Sequence, residues 1–315
     1  MDSTSGLSEA RPRSTRLRAT RSQVIRVVAF VLAVCSVLPY LVMKVLWLSG
    51  SRIGMRPGSG VGEMHDPRFV VGNLISVGFA LTAIVFAVAL LQPRRRLVPG
   101  WLIVILGGGA AGLLAPIALG LPIGVVLQLA VQGSTSTGGE GNLRGAVFNI
   151  VYLGFTVLGV CLAVMVAGYV LHGWPELLAV PPRSPADGRL TLAAGIGMLT
   201  FAVAMISWGV LGPGQSGPTG FSAIEQRTVL VVTGLLAAAG FITPLLRRRP
   251  RVRSHPLLAW ALTAVGCTTA AAQGPTLLLL AHGAVVHWPL VAVTLLATPT
   301  ALLYGVAILR APDAR

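Results

Sequence analysis

Residues 98–131 read VPGWLIVILGGGAAGLLAPIALGLPIGVVLQLAV and contain no charged side chain. A helix of about 20 residues crosses the hydrocarbon core of a bilayer, so this run is longer than one straight span needs. Pro116 and Pro122 interrupt it. We therefore predict a span over 100–122 and leave two readings open for the rest. The run is either one kinked helix or a helix followed by a re-entrant piece that reaches Gln128.

Seven further stretches of the chain are similarly long and apolar. Of the 315 residues, 54% are hydrophobic and 10% are charged, whereas soluble domains carry about 25% charged residues. Runs near 20 residues favour helices over the shorter strands of a membrane barrel. The predicted fold is an all-α polytopic transmembrane helix bundle. Its eight helices are predicted at 25–48, 70–92, 100–122, 147–171, 190–212, 228–246, 256–281 and 288–309.

The arginines predict the orientation of this bundle. Over the connections, 18 arginines fall on the side of the N-terminus and five on the other side. Because positively charged loops stay in the cytoplasm, we expect a multi-pass cell-membrane protein with cytoplasmic N- and C-termini. The net charge of +15 sits in clusters between apolar runs, a pattern that favours a lipid bilayer and no nucleic-acid partner. Heavy use of Ala, Gly, Val, Leu and Arg favours a bacterial source.

The first apolar run is expected to be a retained helix. The run from Val27 to Trp47 is longer than the apolar region of a secretory signal, and no small-residue cleavage site follows it. The three cysteines, Cys35, Cys161 and Cys267, all fall inside apolar runs. An odd number in such positions predicts packing residues and not a disulfide framework.

The two halves of the chain share a pattern. Three residue pairs recur at offsets of 159 or 161 positions: Trp101 with Trp260, Pro116 with Pro275, and Trp47 with Trp208. Four helices per half predict a 4+4 parallel internal repeat about an axis along the membrane normal. The corresponding segments are a disordered basic tail (1–23), a first half (24–175), a cytoplasmic linker (176–189) and a second half (190–315).

Polar and small residues inside the predicted spans are candidates for helix contacts or for a cavity. Gln128 and Gln273 are amides in apolar surroundings, where such groups either hydrogen-bond between helices or line a polar cavity. The glycine pairs at 108 and 112, and at 120 and 124, have the spacing of close helix–helix contacts.

Lys44 is the only lysine of the chain and lies near the outer end of the first helix, close to Trp47. A lysine in this position either extends to the interface beside the tryptophan or acts as counter-ion for a ligand. At the other face, the arginines of RRRPRVR at 247–253 either only fix the topology or also bind anionic headgroups. The headgroup interpretation assigns contacts to Arg247, Arg248, Arg249 and Arg251.

The first outer loop contains the segment GEMHDP at 62–67. Glu63, His65 and Asp66 offer carboxylate and imidazole ligands to a divalent metal, and histidines before the last helix could complete the set. The alternative is a solvated loop without a ligand.

The sequence lacks the residues of several mechanisms. No phosphate-binding loop, H-E-x-x-H, C-x-x-C or G-x-S-x-G motif occurs. No Asp or Glu lies inside any predicted span, although coupled transporters usually bury an ionisable group there. We predict no catalytic residue, cofactor site or assigned metal site, and a non-enzymatic role is favoured over an enzyme.

The stretch LPYLVMKVLWLSGSRIG at 38–54 resembles the first helix of uncharacterised multi-pass integral membrane proteins of actinomycetes. The resemblance is carried by Pro39, Tyr40, Lys44, Trp47 and Gly50. It implies an eight-helix membrane protein and brings no activity with it.

Three functional hypotheses follow. The first is a protein that binds or moves a small or lipophilic molecule in a cavity between the halves. The second is a non-catalytic accessory or structural subunit that contacts another membrane protein. The third is a membrane enzyme acting on lipid-linked substrates, with an outer site at Lys44, Glu63, His65 and Asp66.

Overall fold

A computed structural model describes residues 13–55, 67–91, 99–133, 145–279, 281 and 285–310. In this part of the chain, eight helices are long and apolar enough to cross a membrane. They are α1 (Arg13–Leu48), α2 (Pro67–Leu90), α3 (Gly100–Gln132), α4 (Gly145–Gly173), α6 (Gly188–Leu211), α7 (Ile224–Leu245), α9 (Pro256–Leu279) and α10 (Trp288–Arg310). Two short helices, α5 (Pro175–Ala179) and α8 (Pro250–Ser254), lie between them. The predicted all-α polytopic bundle is confirmed.

α1 begins at Arg13 and not at residue 25, so residues 13–23 are helical where a disordered tail was predicted. The third helix also differs from its predicted boundaries. α3 runs without interruption to Gln132, so the reading with a separate re-entrant piece is wrong. At 1.5 Å per residue α3 is about 50 Å long, which exceeds a hydrocarbon core of about 30 Å. At Pro116 a neighbouring helix compensates the lost backbone hydrogen bond, as described below.

The start of α7 is a further difference. The predicted span began at residue 228, but α7 begins at Ile224. The Gln226 side chain reaches back and accepts a hydrogen bond from the Ala223 N–H at 3.2 Å, which closes the first turn. This turn brings Glu225 into the helix, where it is 4% exposed. The expectation that no acidic residue lies inside a span is therefore wrong.

The second half of the chain forms a closed ring of four helices. α6 packs on α7, α7 on α9, α9 on α10, and α10 on α6. The core inside this ring includes Met198, Phe201, Met205 and Tyr304, none of which is measurably exposed. Burying such large side chains among four helices gives this ring a closely packed core.

The first half is arranged less regularly. α4 packs against both α1 and α3, while α2 contacts mainly α1. α3 belongs to both halves, because its other side packs against α7 and α9. α7 therefore enters the contact between the halves, whereas α2, its counterpart in the predicted repeat, stays outside it. The neighbours of the two halves match only in part, and the division of the chain at 176–189 stays a prediction.

One pair of tryptophans behaves as a repeat would require. Trp47 is 5% exposed at the end of α1, and its indole N–H donates to the Ile53 carbonyl at 2.9 Å. Trp208 is 7% exposed near the end of α6, and its indole N–H donates to Ser216 Oγ at 3.0 Å. Each ring is buried near the end of its helix and hydrogen-bonds to the loop that follows.

The predicted glycine contacts are confirmed along α3. A Cβ on Gly112 would lie 2.4 Å from the Thr268 carbonyl oxygen of α9, and a Cβ on Gly124 would lie 2.5 Å from the Glu225 Cα of α7. Side chains at these positions cannot be accommodated without separating the helices. The glycines therefore allow the backbone of α3 to touch the second half directly.

Candidate functional site

Two ends of the bundle can be distinguished by contacts between distant segments. At one end, Trp260 at the start of α9 donates its indole N–H to the Val180 carbonyl at 2.8 Å. The ring of Trp174 lies against Gly100 at the start of α3. We call this the arginine-rich end, since the arginines of 183–189 and 247–253 belong to the same connections. The ends of α3 and α6 and the start of α7 form the opposite end.

Lys44 connects α1 to α2 at the opposite end. Its Nζ donates to Asn73 Oδ1 at 2.7 Å, and Asn73 is buried. The same ammonium lies 5.2 Å from the Tyr40 ring centroid and 4.9 Å from that of Trp47. Aromatic faces and an amide oxygen thus solvate the charge inside the protein. The structure brings Lys44 together with Trp47, as the sequence proximity suggested.

The candidate metal ligands of the first outer loop, Glu63, His65 and Asp66, lie outside the described residues. Within the described ranges, no group of three or more His, Cys, Asp or Glu side chains is close enough to hold a metal ion. His287 is described and half-buried just before the last helix. The metal interpretation of GEMHDP stays a prediction.

Gln273 of α9 compensates the backbone defect at Pro116 of α3. Proline has no N–H, so the Gly112 carbonyl loses its hydrogen bond within the helix. Gln273 Nε2 donates to this oxygen at 3.0 Å and to the Leu113 oxygen at 3.1 Å. At the matching proline, Pro275, the freed Ala271 carbonyl accepts instead from Thr298 Oγ1 of α10 at 3.1 Å.

Gln128 is a second link from α3 to the second half. Its side chain is 3% exposed, and its Oε1 accepts from the Ile224 N–H, the first of α7, at 3.1 Å. Its Nε2 donates to Gln132 Oε1 at 2.5 Å. The amides of Gln128 and Gln273 both take part in helix–helix contacts, one at the first N–H of a helix and one at a proline.

A groove at the arginine-rich end was not predicted from the sequence. It has a volume of about 730 Å³ and is bounded by the linker before α6, by one face of α6 and by Phe241 of α7. Its lining residues are Ser184, Pro185, Gly188, Thr191, Leu192, Gly195, Ile196, Leu199, Thr200 and Phe241.

The linker forms the mouth of this groove by folding over the first turn of α6. Asp187 starts the helix, and its Oδ1 accepts from the Arg189 N–H at 2.8 Å. Thr191 Oγ1 lies 3.3 Å from Ser184 Oγ, which holds the linker against the helix. Gly188 leaves the mouth open, because a Cβ there would meet nothing within 4 Å.

The outer wall of the groove lies on the exposed surface of the bundle. Leu192 and Ile196 line it and are 66% and 53% exposed. Arg183 and Arg189 are exposed and lie next to the mouth residues in the chain. The sequence signal was the row of small residues at 188, 191 and 195, which share one helical face. That row alone gave no reason to expect a linker folded over it.

The predicted headgroup arginines belong to the same end. Arg247 is half-buried, and Arg248, Arg249 and Arg251 are exposed in the connection that follows α7. The groove residue Phe241 lies in the last two turns of α7, just before this connection. Cationic side chains thus surround the arginine-rich end, while contacts with lipid headgroups stay a prediction.

No known protein family matches the chain, and no curated protein and no solved structure matches it either.

Proposed function

We propose that the protein binds an anionic long-chain lipid, with the acyl chain in the α6 groove and the headgroup at Arg183 and Arg189. The observation that carries this proposal is the groove itself, which is apolar along α6. Two exposed arginines, Arg183 and Arg189, are adjacent in the chain to the residues of its mouth. This function specifies the first of the three hypotheses. It moves the site from between the two halves to the outside of the second half.

The dimensions of the groove suit an acyl chain. Its α6 residues extend from Gly188 to Thr200, which corresponds to about 18 Å of helix. Each buried methylene contributes about 0.8 kcal/mol when it leaves water. In a bilayer this term is largely cancelled, because the competing site is also hydrocarbon. Selectivity therefore has to come from the mouth.

The mouth supplies the electrostatic part of recognition. Each arginine near an anionic surface contributes about 1 kcal/mol. A guanidinium also donates paired hydrogen bonds to phosphate oxygens. Ser184 adds a hydroxyl at the same place. On the predicted orientation, the mouth lies in the cytoplasmic leaflet, where anionic lipids are enriched.

Lipid capture by the purified protein tests this function. The protein is incubated in detergent with a photoactivatable anionic phospholipid, crosslinked and mapped by mass spectrometry. We expect crosslinks in 188–200 and at Phe241, and competition by anionic but not by zwitterionic lipid. Arg183→Gln combined with Arg189→Gln should weaken capture about 30-fold, since two interfacial charges contribute roughly 2 kcal/mol.

A variant that blocks the groove distinguishes lipid binding in the groove from a general attraction of anionic lipid to the arginines. Gly188→Trp should block the mouth, because the space beside Gly188 is open. Gly173→Trp is the matched control, since Gly173 is also an open position at the arginine-rich end. Equal capture by both tryptophan variants, or crosslinks spread evenly over all lipid-facing helices, would refute the proposal.

A further inference from the structure

The opposite end of the bundle contains a polar cluster that the lipid groove does not use. Where α3 meets α7, the side chains of Gln128, Glu225 and Gln226 are each 5% exposed or less. The Oε2 atom of Glu225 is buried and has no hydrogen-bond partner in the described part of the chain. A buried carboxylate oxygen without a partner is costly, which makes this oxygen the most unusual polar atom at this end.

The backbone at Glu225 is held in place by close packing and by hydrogen bonds of its neighbours. Its Cα lies 2.5 Å from the place that a Cβ of Gly124 would occupy. One residue earlier, the Ile224 N–H is held by Gln128 Oε1. One residue later, the Gln226 side chain closes the helix turn. The carboxylate is thus fixed at the contact between the halves by its neighbours on both sides.

Arg227, the nearest cationic residue in the sequence, makes its hydrogen bonds with α6. Arg227 Nε donates to the Gly209 carbonyl at 2.9 Å, and its Nη2 donates to the Val210 carbonyl. These are carbonyls at the end of α6, which a cation stabilises. The guanidinium therefore neutralises the end of α6 and makes no described contact with Glu225.

The elements packed against α7 supply no other ionisable group at this end. α3 has none along its whole length, and the loop at 212–223 has none. In α6 the one charged residue, Arg189, lies at the arginine-rich end, and in α9 the one titratable residue, Cys267, lies beside Gly240 at 4.0 Å from its carbonyl oxygen. Within the described residues, therefore, no cationic side chain is placed to balance Glu225.

We propose that Glu225 is the central residue of a binding site for a small monovalent cation, formed between α3 and α7. The Oε2 atom supplies the charge, and the Oε1 atoms of Gln128 and Gln226 each keep a second lone pair for a cation. Acidic groups inside membrane spans commonly mark ion pathways and proton relays. A sodium ion and a proton would satisfy the same carboxylate oxygen.

Direct measurement of both cations tests the site. Purified protein is assayed for equilibrium binding of radioactive sodium, and a sodium-free sample is examined by infrared spectroscopy for the carbonyl band of a protonated carboxyl group. A sodium site predicts saturable binding, and Glu225→Gln should weaken it by at least about tenfold, since it removes the only charged ligand. A proton site predicts a carboxylic acid band that disappears in Glu225→Gln.

Glu225→Gln keeps the size of the side chain and a polar end group, so the variant should fold. Its folding is checked by an unchanged gel-filtration profile and helix content. Glu176→Gln is the matched control, because Glu176 is an exposed glutamate in the short helix α5. The site is refuted if Glu225→Gln changes neither sodium binding nor the infrared band, or if Glu176→Gln changes them equally.

Discussion

Gly112→Ala is expected to lower the free energy of unfolding by about 1–3 kcal/mol, the usual cost of overpacking a close contact. The added Cβ would lie 2.4 Å from the carbonyl oxygen of Thr268 and 2.6 Å from its carbonyl carbon. Both are backbone atoms, which cannot rotate out of the way, so α3 and α9 have to separate. Unfolding of the purified protein in mixed micelles, followed by circular dichroism against denaturing detergent, measures the loss.

Gly109→Ala is the control for this prediction. Gly109 lies three residues earlier in the same helix, and a Cβ there would meet nothing within 4 Å. Alanine is favoured over glycine inside a helix by about 1 kcal/mol, so this variant should be unchanged or more stable. Equal destabilisation by the two substitutions would mean that α3 and α9 are not in backbone contact.

Gln273→Leu is expected to destabilise the protein by about 1–2 kcal/mol. Leucine is of similar size but cannot donate, so the Gly112 carbonyl loses its donor and the Leu113 carbonyl loses its additional contact. An unpaired carbonyl in a membrane interior cannot form a hydrogen bond with water instead. The same unfolding measurement gives the change, and Gln215→Leu in the exposed loop after α6 should stay within about 0.5 kcal/mol of the parent.

A double-mutant cycle with Pro116→Ala makes this prediction specific. Alanine at 116 restores the N–H that the Gly112 carbonyl needs within its own helix. In that background Gln273→Leu should cost less, with a coupling of about 1 kcal/mol. If the effects of Gln273→Leu and Pro116→Ala simply add, then Gln273 does not act by satisfying the proline defect.

The sequence predicted the helices well because crossing a bilayer is a local property. Each span is recognised by the length of its own apolar run, whatever its neighbours are. The predicted span at 256–281, for example, corresponds to α9 at Pro256–Leu279. Two of the differences in boundaries, at the end of α3 and the start of α7, lie at the contact of Gln128 with Ile224. Such a contact between distant segments leaves no periodic signal in the chain.

The candidate site was only partly accessible from the sequence. Lys44, Gln128 and Gln273 were recognisable as polar groups in apolar runs, but their partners were not. Glu225 was missed because the predicted span began at residue 228, three positions after it. The groove was missed because one wall is a linker, and nothing in residues 184–188 indicates that they fold back over α6.

By itself, the sequence determined that this protein is an all-α polytopic bundle with eight spans, since transfer into a bilayer sums over neighbouring residues. Only the tertiary structure decided which helices touch and which donor meets each freed carbonyl. Pro116 and Pro275 look equivalent in the sequence, yet Gln273 serves the first and Thr298 the second. Hydrogen bonds and backbone contacts depend on residues brought together from distant parts of the chain, and so do the groove at α6 and the buried carboxylate of Glu225.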